Sequence, residues 1–285
     1  HARSRLPAWV CFFALKLTKK NIRPIFITTV HGPYSVNFYS SIMTKGDRVI
    51  VVSKMIMQYV LKNYKIDKKK LVLNYRGVSK KDFPYNFKAT ERWLKIWQKD
   101  FPQTKNKIIL TLPARITRWK GQDDFIILLK KITEKNPNVH GLIVGEEKNK
   151  ARFINKLKSQ TTILGLDNNL TFVGHRSDIR EIMSISKIVF SLSREPEAFG
   201  RISLESLSMG IPVIAYSHGG VKEQMLEILP EGLIAVENIN LVASLANKWI
   251  KKGPEINKTH SFMLKNMLEK TFLVYKQAIK DKCQK

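Results

Sequence analysis

From residue 107 onward, short apolar runs and amphipathic stretches alternate so regularly that few folds remain open to the chain. The runs occupy residues 108–112, 141–144, 170–173, 188–192, 213–215 and 233–236. Each has the length of a strand and is apolar almost throughout, so both of its faces are expected to be buried. Pro212 stands at the entrance of the fifth run, where its missing N–H is harmless. Between the runs, apolar residues recur at spacings of three and four, as in Phe125, Leu128, Leu129 and Ile132, or Phe153, Ile154 and Leu157. That is the period of a helix lying on a sheet. Buried strands separated by amphipathic helices predict an α/β fold with a parallel sheet covered on both sides, a Rossmann-like domain.

The front of the chain alternates too, but for a shorter distance. Residues 25–30, 49–52 and 71–74 read as strands, and 7–19 and 54–64 as helices. Three strands cannot easily bury both faces, so this half is expected to need residues beyond the sequence or a partner. Residues 76–87, with Gly77, Pro84 and several lysines, read as a linker. A last helix is expected over 263–278, with Met263, Met267, Val274 and Ala278 on one face.

Composition narrows the partners. The formal net charge is +27. Lys and Arg outnumber Asp and Glu by 23 to 5 over residues 1–107, but only by 27 to 18 over the rest. The basic front suits an anionic membrane surface or a phosphorylated acceptor, although much of it also reads as ordinary solvated surface. No nucleic-acid motif accompanies the charge, so no nucleic-acid partner is expected. No apolar run is long enough to span a bilayer, and no secretory leader is readable. Cys11 and Cys283 stand at opposite ends without metal-ligand spacing, and read as free thiols of a reducing compartment.

Two constellations carry chemistry. The first follows the strand at 108–112: Arg115-Ile116-Thr117-Arg118-Trp119-Lys120-Gly121. Ligands of parallel α/β sheets gather at the carboxyl ends of strands. Arg115 and Lys120 there can hold a diphosphate, the arginine through its planar fork and the lysine as a point charge. A solvated basic loop is the competing reading. The second is Glu197-Ala198-Phe199-Gly200-Arg201-Ile202-Ser203-Leu204-Glu205, after the strand at 188–192 and at the opening of a helix. Gly200 would let the backbone approach a phosphate, and the helix N-terminus behind it offers unpaired N–H groups. Taken alone, such a glutamate pair is more often solvated than functional.

Together these residues resemble the donor site of GT-B retaining glycosyltransferases of family 4. The resemblance rests on the Arg115–Lys120 pair, the E-x7-E of Glu197 and Glu205, and Gly219-Gly220 in the next strand–helix loop. It extends to His1-Ala2-Arg3-Ser4-Arg5, Thr29-Val30-His31-Gly32, Gly46-Asp47-Arg48-Val49-Ile50 and Tyr75-Arg76-Gly77-Val78, which look like the later part of a family 4 acceptor domain of the lipopolysaccharide-core or envelope-glycan type. The chain starts with His1, matches neither the family's initial strand nor its glycine-rich loop, and carries Ser79 where the family often has an acidic residue. It is therefore expected to be N-terminally incomplete.

The resemblance implies two Rossmann-like domains: a partial acceptor side with linker at 1–85, a donor domain at 86–262, and a helix at 263–285 crossing back to the first. It implies a glycosyltransferase that moves a sugar from a UDP- or GDP-sugar to a lipid-linked or polysaccharide acceptor with retention and without a metal. Arg115 and Lys120 would neutralise the departing diphosphate, and Glu197 would bond the transferred sugar. Glu205 would accept from the ribose, and Gly174, His175 and Arg176 would border the base. Phe199, Gly200 and Arg201 complete the donor loop, and His31 would face the reaction centre. No D-x-D triplet is present, Asp123 and Asp124 being adjacent, and no cofactor is expected. The expected location is cytoplasmic, peripheral on the inner membrane face. The alternative is a non-catalytic nucleotide-sugar-binding fragment or subunit of a split or decaying enzyme.

Overall fold

Two all-parallel sheets organise the chain, one of three strands and one of six, in a computed structural model that describes residues 1–146 and 151–284. They belong to separate units. The first unit gathers His1–Gly77, Glu197–Phe199 and Ser261–Lys285, and the second Val78–Pro196 and Gly200–His260.

In the first unit the order is α1 (Arg5–Leu17), β1 (Ile27–Val30), α2 (Phe38–Ser41), β2 (Arg48–Val51), α3 (Lys54–Asn63) and β3 (Leu71–Leu73), joined by the chain's last helix, α11 (Leu264–Cys283). The strands lie in the order β1-β2-β3, with Thr29 opposite Ile50 and Ile50 opposite Val72. Ala2 adds a single parallel bridge beside Thr28. One face of the sheet buries Val30, Val49 and Val51 with Ala8, Ile42, Ile56 and Val60. The other buries Ile27 and Ile50 against Val274 and Ala278 of α11. Part of the cover that three strands need is thus supplied by a helix from the far end of the chain. The side-chain amide of Asn74 fastens that helix, donating to the Met267 carbonyl at 3.0 Å and to Thr271 Oγ1 at 2.9 Å. Arg48 adds an ion pair with Asp281.

The second unit runs α4 (Glu91–Asp100), β4 (Ile108–Pro113), α5 (Gln122–Thr133), β5 (Val139–Val144), α6 (Ala151–Ile163), β6 (Leu170–Gly174), α7 (Ile179–Ser184), β7 (Ser186–Ser191), α8 (Arg201–Ser208), β8 (Val213–Tyr216), α9 (Gly219–Ile228), β9 (Leu233–Ile234) and α10 (Ile239–Lys251). Every apolar run of the sequence holds a strand. The last is shorter than expected, and Gly219 and Gly220 open α9 instead of lying in the loop before it. One face packs Ile109, Leu142 and Val144 against Trp93 and Trp97 of α4 and Ile182 of α7. On the opposite face Gly141 leaves room for Phe125 and Leu129 of α5. Strand order is β6-β5-β4-β7-β8-β9. The chain moves outward from β4 in one direction and from β7 in the other, so order reverses between β4 and β7. Such a switch point opens a crevice at the carboxyl ends of its two strands. Among the described residues no helix is long and apolar enough to cross a membrane.

Candidate functional site

Both constellations follow the two strands that flank this switch point. After β4, Ile116 is buried and anchors its loop, while Arg115 is exposed and Lys120 half-exposed. The Lys120 ammonium lies 4.3 Å from the centre of the Trp119 ring, a cation–π contact that restrains it. The loop closes on Gly121, whose φ is +78°. A Cβ at that position would stand 2.0 Å from the Leu192 carbonyl oxygen just past β7. Only glycine lets the two loops come so close. Gln122 then donates back to the Arg115 carbonyl at 3.0 Å.

A buried acid fastens the arrangement. Asp124, 1% exposed on the first turn of α5, receives Arg194 through Nε at 3.1 Å and through Nη2, and the Tyr216 hydroxyl at 2.8 Å. Burial, then the hydrogen bond to Asp124, pushes the Tyr216 phenol well above its ordinary range. The hydrogen bond to Asp124 holds Arg194 firmly protonated. One carboxylate therefore ties α5, the loop after β7 and the end of β8 together. In the sequence Asp124 stood out only as the neighbour of Asp123, and this role went unread.

On the acidic side, Glu205 is 6% exposed on α8 and meets Arg201 at 2.8 Å. Burial raises its carboxyl pKa, and Arg201 only partly offsets that. Gly200 serves packing as well as any ligand, because a Cβ there would fall 2.3 Å from Val221 Cγ2 of α9. Glu197 is half-buried and grouped with the first unit. Phe199, grouped likewise, is buried beside Tyr75 and Phe262 with ring centres at 6.4 and 6.0 Å, which gives it a packing role in that unit.

The third loop follows β6, two strands away from β4. Gly174 has φ +77° with open space around it, and His175 is exposed. Arg176 forks onto Asp178 at 2.8 and 2.6 Å, and Trp93 Nε1 donates to the same carboxylate at 2.7 Å. Desolvation alone would raise Asp178, but these hydrogen bonds outweigh it and its pKa is lowered. Arg176 therefore shapes the loop through Asp178.

In the first unit, His31 follows β1 directly. Its Nδ1 is enclosed and has no hydrogen-bond partner among the described residues. Burial first, then the charges of Arg76 and Arg3, lowers its pKa to about 4, so the ring is neutral near pH 7. His31 lines a cavity of about 380 Å³ together with Arg3 and Arg76.

The chain is similar to known proteins along most of its length. Residues 94–262 match the family described as glycosyl transferases group 1, and residues 1–81 the one described as glycosyltransferase family 4. A glycosyltransferase crystal structure from Rickettsia africae is 31% identical, with a TM-score of 0.77 over 98% of this chain and 76% of its own. Anabaena HepE in complex with UDP-glucose is 20% identical, with a TM-score of 0.74 over the same shares. Among curated relatives, the trehalose synthase of Pyrococcus horikoshii is 26% identical over 184 residues, 62% of this chain and 43% of that protein. The chain spans less than two thirds of the length of such relatives, at 43%, 27% and 60% for three of them. With its two Rossmann-like units of the GT-B type, the chain belongs to the glycosyl transferases group 1 family.

Proposed function

We propose that the chain transfers a sugar from a nucleoside-diphosphate sugar to an acceptor hydroxyl, with retention of anomeric configuration. The observation that carries this reading is the pair of loops at the β4/β7 switch point, joined by the 2.7 Å bond from the Arg194 amide to the Trp119 carbonyl. Arg115 and Lys120 of one loop supply positive charge, and the other leads to α8, whose N-terminus carries more. Charge develops on the leaving diphosphate as the bond from the anomeric carbon to its oxygen breaks. Fixed cations stabilise that state more than the bound donor. The acceptor oxygen forms the new bond on the same face, and its proton passes to the departing phosphate oxygen. No metal bridge is needed in this reading.

Glu205 would accept from ribose hydroxyls, Glu197 from the sugar, and Gly174 and His175 would border the base, with Arg176 holding their loop. His31 would face the reaction as a neutral imidazole. The UDP-glucose held by HepE supports a nucleotide-sugar donor.

A lipid-linked or envelope-glycan acceptor on an anionic membrane is the finer part of the proposal. Leu6, Val10, Phe13 and Leu17 of α1 are all exposed at helical spacing, and Lys16, Lys19 and Lys20 follow closely in sequence. Such a face suits an anionic bilayer surface. Co-sedimentation with phosphatidylglycerol vesicles, lost in Phe13→Glu, is the expected result.

Calorimetric titration with UDP, GDP and ADP tests the donor site. Binding of one nucleotide, weakened by about 2–4 kcal/mol in Arg115→Ala if the contact keeps its full strength on the leaving group, supports the proposal. A folded chain that binds none of the three would sink it. Nucleotide binding with no turnover on any acceptor would favour the non-catalytic alternative.

A further inference from the structure

We infer that a cationic cavity at the amino ends of the first unit's strands binds a phosphate group, supplied by the headgroup of an anionic lipid. The phosphate site stands on the cavity itself, whereas its lipid source rests on the membrane reading of α1 above.

The cavity, of about 390 Å³, lies at the end of the sheet opposite to His31, which follows the carboxyl end of β1. Arg23 lines it from the segment before β1, Asp47 and Arg48 from the start of β2, and Lys70 from the residue before β3. Lys20 closes it from the segment after α1, and Asp281 and Lys282 from the last turn of α11. Five cations thus meet two carboxylates among the described residues. Both carboxylates are already engaged. Asp281 holds Arg48 and accepts from Gln277 Nε2 at 2.6 Å, and Asp47 Oδ2 accepts the Phe26 amide at 2.8 Å. Lys20, Arg23 and Lys70 have no ion pair among the described residues. The negative end of the α11 dipole also lies here, and Lys280 and Lys282 in the last turn answer it.

Arg23 carries the most specific sign of a ligand. Its Nη2 donates to the Thr18 carbonyl at 3.1 Å, which fixes the guanidinium against the end of α1. Its Nε is enclosed and has no hydrogen-bond partner among the described residues. A donor in that condition costs free energy until a ligand or water meets it. The planar fork of a guanidinium suits two phosphate oxygens, and lysines from two other segments meet the remaining charge as point cations. A carboxylate offers one charge and two oxygens, fewer than three cations on separate segments call for.

The flanks of the cavity point to a lipid. Leu17 is 90% exposed and Ile22 67% exposed, on either side of Lys20 in the chain. Apolar side chains that enter a bilayer surface bring neighbouring lysines and arginines to the depth of the headgroup phosphates.

The test follows the Arg23 Nε–H resonance by NMR in the isotope-labelled full chain, assigned with Arg23→Lys. The probes are glycerol 3-phosphate, inorganic phosphate, and sodium chloride at matched ionic strength. Both phosphates are expected to shift the resonance saturably, with chloride leaving it in place. The pair Lys20→Gln and Lys70→Gln, made together, should weaken glycerol 3-phosphate about tenfold. Lys62→Gln with Lys65→Gln removes the same charge from exposed residues outside the cavity and should leave that affinity unchanged. Vesicles of phosphatidylcholine and phosphatidylglycerol, read by co-sedimentation, form a further arm. Vesicle binding weakened by the cavity pair but not by the control pair assigns the phosphate to a lipid headgroup. A response to the soluble phosphates, with vesicle binding equal in the two pairs, assigns it to a free phosphate ester. A silent Arg23 together with equal vesicle binding in the two pairs overturns the proposal, as does a shift with chloride equal to that with phosphate. Phe13→Glu separates this site from the membrane reading of α1. Vesicle binding that needs Phe13, with Arg23 silent and the two pairs equal, leaves that reading and removes the phosphate site. A saturable phosphate response without any vesicle binding does the reverse.

Discussion

The backbone amide of Arg194 donates to the carbonyl of Trp119 at 2.7 Å, while the guanidinium of the same arginine grips the buried carboxylate of Asp124. Backbone and side chain of one residue therefore hold the loop after β4 against the loop after β7. The geometry of Arg115 and Lys120 depends on that hold, although neither residue takes part in it.

Removing the carboxylate should expose the dependence. Asp124→Ala strands the Tyr216 hydroxyl and leaves Arg194 only its more exposed pair with Glu237. Breaking a buried pair this way costs about 3–5 kcal/mol, and Arg194 is partly exposed, so about 2–4 kcal/mol is expected. Tyr216→Phe removes one hydrogen bond and should cost about 1–2 kcal/mol. Urea denaturation of both variants gives the comparison. Equal losses would show that the carboxylate has no special place in the network.

Two glycines with left-handed φ make a matched pair. Gly121 has φ +78° and would press a Cβ onto the Leu192 carbonyl, whereas Gly165, with φ +65°, has open space around it. Gly165→Ala should cost only the conformational penalty, about 1–2 kcal/mol. Gly121→Ala carries that penalty and must also push the two loops apart, so it should lose nucleotide affinity in calorimetry while Gly165→Ala keeps it. Equal affinities in the two variants would contradict the close approach of the loops.

The fold was legible because its signal is redundant. Each strand of the second unit is built on a largely apolar run, and the helices between them keep their period. The cation loop was legible because it directly follows such a run. The Asp124–Arg194–Tyr216 network was not, since its partners lie 70 and 92 residues from Asp124 and each is a single polar letter until the sheet assembles. The return of α11 to the first unit was implied by the family resemblance alone, since Ile50 and Val274 meet only in the folded chain. Arg176 and Arg201 carried a readable signal that went unused. Each has a carboxylate two or four residues later, Asp178 and Glu205, and closes an ion pair with it.

Glu205 sets stability against binding. Its carboxyl pKa is raised by burial, so the folded state holds the proton more tightly than the unfolded chain does. Stability from this group declines as pH rises from the ordinary glutamate range through the folded pKa, and the penalty persists at pH 7. Glu205→Gln removes the buried charge, keeps the shape and gives up the Arg201 pair, which is worth little because Arg201 is exposed. Glu205→Gln should thus melt at the wild-type temperature or slightly above it at pH 7, while binding nucleotide more weakly. A clear drop in melting temperature would mean that the pair with Arg201 outweighs the burial cost.

Acid should destabilise the chain before its carboxylates titrate. His31 and His140 both have pKa values lowered to about 4, burial being the main cause in each case. Both are neutral in the folded and unfolded chain above the ordinary histidine value of about 6.5. As pH falls from there toward 4, the unfolded chain gains two protons that the folded chain refuses, so stability falls with pH. Each histidine contributes up to about 1.4 kcal/mol per pH unit within that window. His260, also lowered by burial, adds to the same slope, while Glu205 opposes it. Urea midpoints at pH 7.5, 6.0 and 5.0 measure the slope, and His31→Gln should remove a substantial share of it. If His31→Gln leaves the slope unchanged, His31 is already protonating in the folded chain, and its place as a neutral ring among Arg3 and Arg76 would be lost.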